Sequence, residues 1–528
     1  MSKGKLNLAD LGFEVVGQND FATWKRVYER VLADEMPPKK KARPDGAEKA
    51  AFLDALRSRL IAADIQDKEE MGRVNVRRLT RREYEHTIHD LLGVDLPLRD
   101  LLPEDPVTHG FETVATGQQL SHHHLHRYLE AADLILSDAF ARATLGQSDF
   151  STRVIPPQMA RRSGGNYRGP QELGKVCHFW PIGNQFYGRM AATTVRRSGW
   201  YRVTLRNVRA VNPSNSAVWG TLRSGACNSS SPMLYPVGIV EATKAKRDLS
   251  FTAWIRGGHM LELKPNDATI RRARSGAQGG NVGYEGRSLV KENREGIEIS
   301  RIDIKRVYPN ATRDELRQSV YAGLSRNDIK KLASKTKRRS VYEKVIHNFA
   351  NRAFRRPVTD DQVAPYVDLA IAALNDPGNR PRDAFRVAYR GILCSPRFLT
   401  FIEKPGRLDD HALASRLSYA LWNSMPDNEL RDLADAGKVR NSKVFHAQLN
   451  RMLDDPKAGR FIESFADQWL KLSEINFTSP DRRLYRSFDT VVQASMLAET
   501  RAFLKELIIG NASIKNLIQS DFGMLNER

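Results

Sequence analysis

Cysteine is scarce in this sequence, with three residues among 528. Cys177, Cys227 and Cys394 are far apart, so they form no CxxC pair of the kind that holds a metal, and they allow at most one disulfide. A scaffold held by several disulfides is therefore excluded. With 41% hydrophobic residues over this length, the chain can instead build several domains, each with its own core.

Long apolar runs are also missing. No stretch approaches the roughly 20 apolar residues that cross a bilayer. The first residues, MSKGKLNLADLGFEV, lack the apolar segment of a signal peptide. As written, the sequence predicts neither a transmembrane segment nor an export signal.

The common catalytic motifs are absent: the sequence contains no HExxH and no GxSxG. Asp409-Asp410 and Asp454-Asp455 are carboxylate pairs that can in principle serve as acid and base, but Asp409 stands where a helix cap is expected. The sequence therefore identifies no catalytic residue. It leaves open whether this chain is an enzyme and favours a non-catalytic role.

Four histidines crowd the start of one predicted helix, at His122, His123, His124 and His126. His122 and His126 share a helix face and can bind a transition metal. No carboxylate or cysteine stands at a telling distance from them, and an exposed polar turn is the favoured interpretation. We therefore predict no metal site.

Positive charge is in excess, with 83 Lys and Arg against 62 Asp and Glu and a formal net charge of +21. Such an excess attracts polyanions, for example an acidic or sulfated polysaccharide, nucleic acid or an anionic membrane surface. The basic residues are spread along the chain, so a solvated basic surface is the simpler interpretation. We place nucleic acid well behind polysaccharide as a partner.

The spacing of hydrophobic residues divides the chain into three parts. It is helical up to about residue 145, alternates with a period of two between about 151 and 308, and is helical again to the end. We predict an α+β multidomain protein in which mainly helical domains flank an inserted antiparallel β-sandwich. The predicted segments are 1–68, 73–145, 150–308, 311–404 and 405–528.

The middle segment carries the strand signals. Residues 200–206 and 249–255 alternate, and Ile297, Ile299, Ile302 and Ile304 do so with a one-residue slip that indicates a bulge. Exposed aromatic rings on a sandwich can bind sugars, and Trp200 and Trp254 are the candidates for a glycan platform, although core packing explains such residues equally well. Further aromatic candidates in this segment are Trp180, Tyr187, Trp219 and Tyr284.

Helix caps and apolar stripes are clearest at 408–472, which we divide into four helices. Asp409 is expected to cap the first of them, as Thr80 and Ser121 cap earlier helices. The fourth helix places its large apolar residues on one side, and an antiparallel bundle, which buries such stripes, is the natural arrangement. These residues are Phe461, Phe465, Trp469 and Leu470.

Several longer motifs carry a family resemblance. They are RRLTRREYEHTIHDLLGVDLP, HGFE, FANRAFRRPVTDDQ, SPRFL, LASRLSYALWNSMPDNEL, RMLDDP, FADQWL and LNER. Together they resemble the successive domains of unknown function in planctomycete-type cytochrome c multidomain proteins. In that family a c-type cytochrome domain comes first, and family members are periplasmic or secreted. The resemblance therefore implies a periplasmic or extracellular location.

The segment 1–68 is similar to the C-terminal end of that cytochrome domain, through KGKLNL, the helix around Trp24 and Glu35-Met36-Pro37-Pro38. By resemblance Met36 is the distal haem ligand. The sequence contains no CxxCH, which covalent haem attachment requires, so we expect no cofactor in the chain as given. We expect that this chain is a fragment truncated at both ends, and we expect haem c only if a CxxCH lies upstream.

Two functional hypotheses follow. In the first, the chain is an accessory or binding portion of an exported, cytochrome-c-linked protein with a redox partner, and its family role is electron transfer coupled to polysaccharide processing. The alternative is a polysaccharide-active enzyme whose acid and base carboxylates are not identified.

Overall fold

The computed structural model describes most of the chain in helices and strands. The described residues are 18–38, 40–71, 76–146, 149–160, 170–181, 187–226, 233–265, 290–309, 311–322, 324–332, 334–403, 406–477, 480–481, 484–485 and 487–526. Helices flank an inserted pair of antiparallel sheets, which confirms the predicted α+β multidomain class.

The chain begins with a helical hairpin. Its helices are α1 (Gln18–Leu32) and α2 (Gly46–Met71). Val27 packs against Leu56 and Leu60, and Trp24 covers the edge of this small core. The hairpin is thus held by one apolar stripe from each helix.

The next segment is short and well capped. It comprises β1 (Arg77–Arg78), α3 (Arg81–Leu92) and α4 (His122–Leu145). The Thr80 hydroxyl accepts the Glu83 N–H, and the Ser121 hydroxyl accepts the His124 N–H. Both predicted caps are confirmed, because each hydroxyl satisfies an N–H that the first helical turn leaves free.

The middle of the chain forms two antiparallel sheets with a common core. The strands are β2 (Ser151–Val154), β3 (Gln171–Leu173), β4 (Val176–Phe179), β5 (Arg189–Met190), β6 (Gly199–Val211), β7 (Ala217–Ala226), β8 (Tyr235–Thr243), β9 (Arg247–Ile255), β10 (His259–Pro265), β11 (Gly296–Ile299) and β12 (Arg301–Val307), with a short helix α5 (Pro156–Met159) after β2. One sheet has the order β5-β10-β7-β8, and the other β2-β12-β6-β11-β4-β3, with β9 also paired to β6.

The predicted slip between the isoleucine pairs is confirmed. Ile297 and Ile299 belong to β11, Ile302 and Ile304 belong to β12, and Ser300 separates the two strands. All four isoleucines are fully buried. The irregularity at Ser300 therefore keeps both pairs on the core side of the sheet.

The helices after the sandwich return to the helices before it. They are α6 (Arg313–Tyr321), α7 (Arg326–Leu332), α8 (Arg338–Ala353), α9 (Asp360–Ala373), α10 (Pro381–Leu393) and α11 (Pro396–Leu399), followed by the short strand β13 (Thr400–Phe401). Tyr389 of α10 stacks on Phe349 of α8, with ring centroids 3.8 Å apart, and also approaches Phe140 of α4 at 5.9 Å. Residues from 79–143 and 311–425 thus form one core.

The last segment contains the four predicted helices and one more. They are α12 (Asp410–Trp422), α13 (Asn428–Asp435), α14 (Ser442–Asp454), α15 (Gly459–Trp469) and α16 (Thr490–Ile508). The Asp409 carboxylate accepts the Ala412 N–H at 2.7 Å, which confirms this cap. The buried Trp422 indole donates to the Met452 carbonyl at 2.9 Å and thereby joins α12 to α14.

No helix in the described part of the chain combines the length and the apolar character that a membrane span requires.

Candidate functional site

A cavity of about 480 Å³ lies where α3, β13, α12 and α15 meet, and we call it the junction cavity. Its walls combine aromatic rings with two arginine–glutamate pairs. The side chains that matter below are Arg77, Glu83, Phe111, Phe401, Glu403, Arg416, Tyr419, Phe461, Phe465 and Gln468. Cavities at such junctions, mainly apolar with a few fixed polar groups, are where small ligands commonly bind.

One wall is a stack of aromatic rings on α15. Phe465 stacks on Phe461 at 5.6 Å and on Trp469 at 5.3 Å, with interplanar angles of 26° in both cases. Phe111, from the loop between α3 and α4, lies on Phe465 at 6.2 Å and 20°. The four rings are roughly parallel, and Phe111, Phe461 and Phe465 line the cavity.

This stack corrects our expectation that the same stripe faces a bundle core. Trp469 and Leu470 are exposed, and Phe461 and Phe465 are half-buried. The buried side of α15 carries Ile462, Ser464 and Ala466 instead. Ile462 and Ala466 pack with Leu504 and Leu507 of α16, and Phe461 and Phe465 also line the cavity.

Gln468 holds the Phe111 loop against α15. Its side-chain carbonyl accepts the Glu112 N–H at 2.7 Å, and its amide donates to the Ser464 carbonyl at 3.0 Å. The amide group therefore fixes the loop that carries Phe111 at the mouth of the stack.

The first ion pair joins Arg77 to Glu83 through two hydrogen bonds of 2.8 and 2.9 Å. Glu83 also accepts the Thr80 N–H at 2.9 Å as part of the α3 cap. Burial lowers the pKa of the Arg77 guanidinium, but the charge and hydrogen bonds of Glu83 outweigh this effect and leave the pKa raised. The guanidinium also lies 4.4 Å above the Phe401 ring, in a cation–π contact.

The second ion pair joins Arg416 of α12 to Glu403. The Arg416 Nε donates to Oε1 at 2.9 Å, and its terminal nitrogen donates to Oε2. This hydrogen bond raises the pKa of the Arg416 guanidinium. Burial likewise raises the pKa of the nearby Tyr419, whose hydroxyl is 2.9 Å from that of Thr87.

The arrangement suits binding better than acid–base catalysis. Both cavity carboxylates already accept two guanidinium hydrogen bonds, an arrangement typical of structural ion pairs. A general acid needs a carboxyl group that keeps its proton. In the described part of the chain, no group of three or more His, Cys, Asp or Glu is placed to hold a metal ion.

Trp200 and Trp254, the sequence candidates for a glycan platform, lie elsewhere, at the contact between the sandwich and α3. Their rings meet edge to face, with centroids 6.1 Å apart and an angle of 71°. The Trp200 indole N–H donates to the Asp95 carbonyl at 2.7 Å. Both rings are half-buried and line a small cavity of about 50 Å³. Because the rings are not coplanar, they do not form one flat surface on which a sugar could stack. A sugar platform at these residues stays a prediction.

The other aromatic candidates are distributed over different environments. Trp180 and Tyr187 are buried and pack with Val211. Trp219 is half-buried in β7, and Tyr284 lies outside the described residues. None of the described candidates lines the junction cavity.

Met36 lies in the loop that joins α1 to α2. It is half-buried, and its N–H donates to the Arg30 carbonyl at 3.1 Å. KGKLNL, which also supports the cytochrome resemblance, lies outside the described residues. The role of Met36 as a haem ligand stays a prediction.

The histidine cluster forms the first turn of α4. His124 Nδ1 lies 2.8 Å from the Ser121 hydroxyl and takes part in the cap, while His126 approaches Glu130 at 3.2 Å. Burial lowers the pKa of the His124 side chain. These contacts give two of the four histidines a structural role.

Local sequence patterns single out few of the cavity residues, yet several of the family motifs contain them. Phe111 belongs to HGFE, Arg416 and Tyr419 to LASRLSYALW, and Phe465 and Gln468 to FADQWL. Arg77 and Glu83 belong to RRLTRREYE, and Phe401 lies two positions after the end of SPRFL. Four of the motifs that carry the resemblance thus converge on the junction cavity.

Comparison with family models agrees with this convergence. Residues 77–141 match PSD3, a protein of unknown function (DUF1587), residues 342–403 match PSD5 (DUF1595), and residues 408–528 match PSD4 (DUF1592). A comparison with curated proteins finds no match. All three matched segments supply walls of the junction cavity, and three parts of this chain are therefore similar to domains that follow planctomycete cytochrome c domains.

Proposed function

We propose that this chain is a glycan-binding module and that the junction cavity is its binding site. The observation that carries the proposal is the combination, in one cavity, of a stacked aromatic wall and two fixed arginine–glutamate pairs. The apolar face of a sugar ring packs on aromatic rings, and its hydroxyl groups exchange hydrogen bonds with planar charged groups.

The charges of the cavity support a sugar rather than a small ion as the main occupant. Its two arginines and two glutamates balance, so the cavity has donors and acceptors without a large net charge. The surplus of positive charge lies over the rest of the chain, where it attracts acidic polysaccharide over longer distances.

The family resemblance supports a wider setting for this module. In the proposal, the chain is an accessory part of an exported, cytochrome-c-linked protein and holds polysaccharide near a redox or hydrolytic partner. The matched domains support this setting, while the glycan, the cytochrome link and the exported location all belong to the proposal.

Equilibrium titration with oligosaccharides selected on a glycan array tests the proposal. Phe465→Ala removes the central ring of the wall and should weaken binding roughly tenfold, because it removes a stacking surface worth about 1.4 kcal/mol. Phe477→Ala is the matched control, since Phe477 is 87% exposed outside the cavity. Equal losses in both variants would contradict the proposal.

The same preparations decide between binding and catalysis. We expect the bound oligosaccharide to be recovered intact after long incubation. Release of shorter products, abolished by substitution of one carboxylate, would instead support the polysaccharide-active enzyme.

A further inference from the structure

A second cavity, of about 300 Å³, adjoins the junction cavity. Phe401 and Glu403 line both cavities and form the partition between them. Three arginines, Arg355, Arg356 and Arg397, lie in the walls of the second cavity, and we call it the arginine cavity.

Arg355 is a buried cation whose partners are all neutral. It is 5% exposed. Its two terminal nitrogens donate to four neutral acceptors, namely the carbonyls of Thr400 at 2.9 Å, Phe398 at 3.0 Å and Arg397 at 3.2 Å and the Tyr419 hydroxyl at 3.3 Å. No carboxylate of the described residues forms an ion pair with it.

The Arg355 side chain is positively charged, because an arginine side chain stays protonated in proteins. Burying an ion without a counter-ion is costly. The faces of Phe401 and Tyr419, 5.2 and 5.6 Å from the guanidinium carbon, offset only part of that cost. The site therefore has an unmet preference for negative charge.

The backbone at Arg355 is strained as well. Arg355 follows α8 with φ of 61°, in the left-handed region that side chains other than glycine rarely adopt. Such a conformation persists where surrounding contacts enforce it, often at binding sites. Here the hydrogen bonds of the guanidinium supply those contacts.

The other two arginines differ in their pairing. Arg356 forms an exposed ion pair with Asp409 at 3.3 Å. Arg397 is exposed, and among the described residues it has no acidic partner. Glu403, the acidic group of the partition, is already paired with Arg416. The arginine cavity thus carries an excess of positive charge, in contrast to the balanced junction cavity.

We infer that the arginine cavity binds an oxyanion, a sulfate ester or a carboxylate, carried by the same glycan that occupies the junction cavity. Arg355 contributes positive charge, since its terminal N–H groups already have acceptors. The exposed Arg397 guanidinium presents paired N–H groups that match both kinds of oxyanion. A volume of about 300 Å³ holds such a group together with several waters, each of which takes about 30 Å³. The identity of the carrier rests on the proposed function, and the preference for an oxyanion does not.

Titration with sodium sulfate at constant ionic strength tests the oxyanion site by itself. Arg397→Gln should weaken sulfate binding roughly tenfold, because one charge-assisted contact is lost. Arg57→Gln is the matched control, since Arg57 is exposed on α2 and its replacement lowers the net charge equally. Sulfate binding that is unchanged by Arg397→Gln would overturn the inference.

Three oligosaccharides of one backbone then identify the carrier: neutral, sulfated and carboxylated. Tighter binding of one charged form, lost in Arg397→Gln and kept in Arg57→Gln, supports the inference and names the group. Equal binding of all three overturns it and leaves the proposed function intact. Arg397-dependent binding of sulfate without binding of any oligosaccharide supports the oxyanion site and contradicts the proposed function.

Discussion

At the scale of single residues, Asp90 of α3 joins the first matched segment to the last. Its carboxylate accepts hydrogen bonds from the Ser424 hydroxyl at 2.7 Å, from Lys457 at 3.1 Å and from Arg460 at 3.0 Å. Burial raises the pKa of Asp90, but Arg460 and Lys457 outweigh this effect and leave the pKa lowered. Asp90 thereby positions α15 and its aromatic wall against α3.

Asp90→Asn removes the charge that Lys457 and Arg460 share. We expect the free energy of unfolding to fall by roughly 3 kcal/mol, since two partly buried cations lose their counter-ion. Urea titration measures the change, with the exposed Asp376→Asn as control. A decrease in unfolding free energy no larger than that of the control would show that the ion pairs of Asp90 with Lys457 and Arg460 contribute little to stability.

His86, on the same helix, makes stability depend on pH. Burial and the nearby Arg460 lower the pKa of His86 from 6.5 to about 2. The unfolded chain therefore binds a proton between those values that the folded chain does not, and stability decreases as the pH falls below about 6.5.

His86→Asn should reduce this pH dependence. Between pH 7.5 and pH 5.5 the histidine costs the wild type about 1.4 kcal/mol of unfolding free energy. The variant should lose that much less over the same interval, as measured by urea unfolding at both pH values. An identical decrease in the two proteins would contradict the assigned burial.

At the scale of elements, the cap of α3 prepares one wall of the junction cavity. Thr80 and Glu83 exchange cap hydrogen bonds, and Glu83 at the same time holds Arg77 above Phe401. The first turn of the helix thus fixes an ion pair that faces the proposed ligand.

Thr80→Ala should lower the free energy of unfolding by about 1 kcal/mol, because the Glu83 N–H loses its acceptor. Thr80→Ser keeps the hydroxyl and should retain most of the stability. Thermal unfolding of both variants compares them directly. If the serine variant is as unstable as the alanine variant, the lost stability comes from the packing of the Thr80 methyl group and not from the cap hydrogen bond.

The sequence predicted local structure well and the site poorly, for physical reasons. Caps at Asp409 and Ser121 depend on neighbouring residues, so short motifs reveal them. Which face of α15 is buried depends on its packing against α16. The large side chains of Phe461 and Phe465 led us to predict that their face is the buried one, whereas Ile462 and Ala466 are buried instead. The pairing of Arg77 with Phe401 joins two-residue strands from distant parts of the chain, which leaves no periodic signal.

At the scale of the whole molecule, the sandwich is an insertion into one helical core. Leu136 of α4 and Ile346 of α8 belong to the same buried cluster, although the sandwich separates them in the sequence. The sandwich has a core of its own. The helices on both sides of the insertion should therefore open together.

Ile346→Ala tests this shared core by hydrogen exchange. We expect the opening free energies of α4 and α8 to fall together by about 2–5 kcal/mol, as for other large-to-small core substitutions. Leu222→Ala, in the core of the sandwich, is the control of similar size. A decrease confined to α8 would show that the two helical parts unfold independently.

The most direct test of the central proposal is a crystal structure of the chain with an oligosaccharide that binds it. We expect a sugar ring against Phe465 and Phe111, with hydroxyl groups near Arg77 and Arg416. A sugar bound at Trp200 and Trp254, with an empty junction cavity, would contradict it.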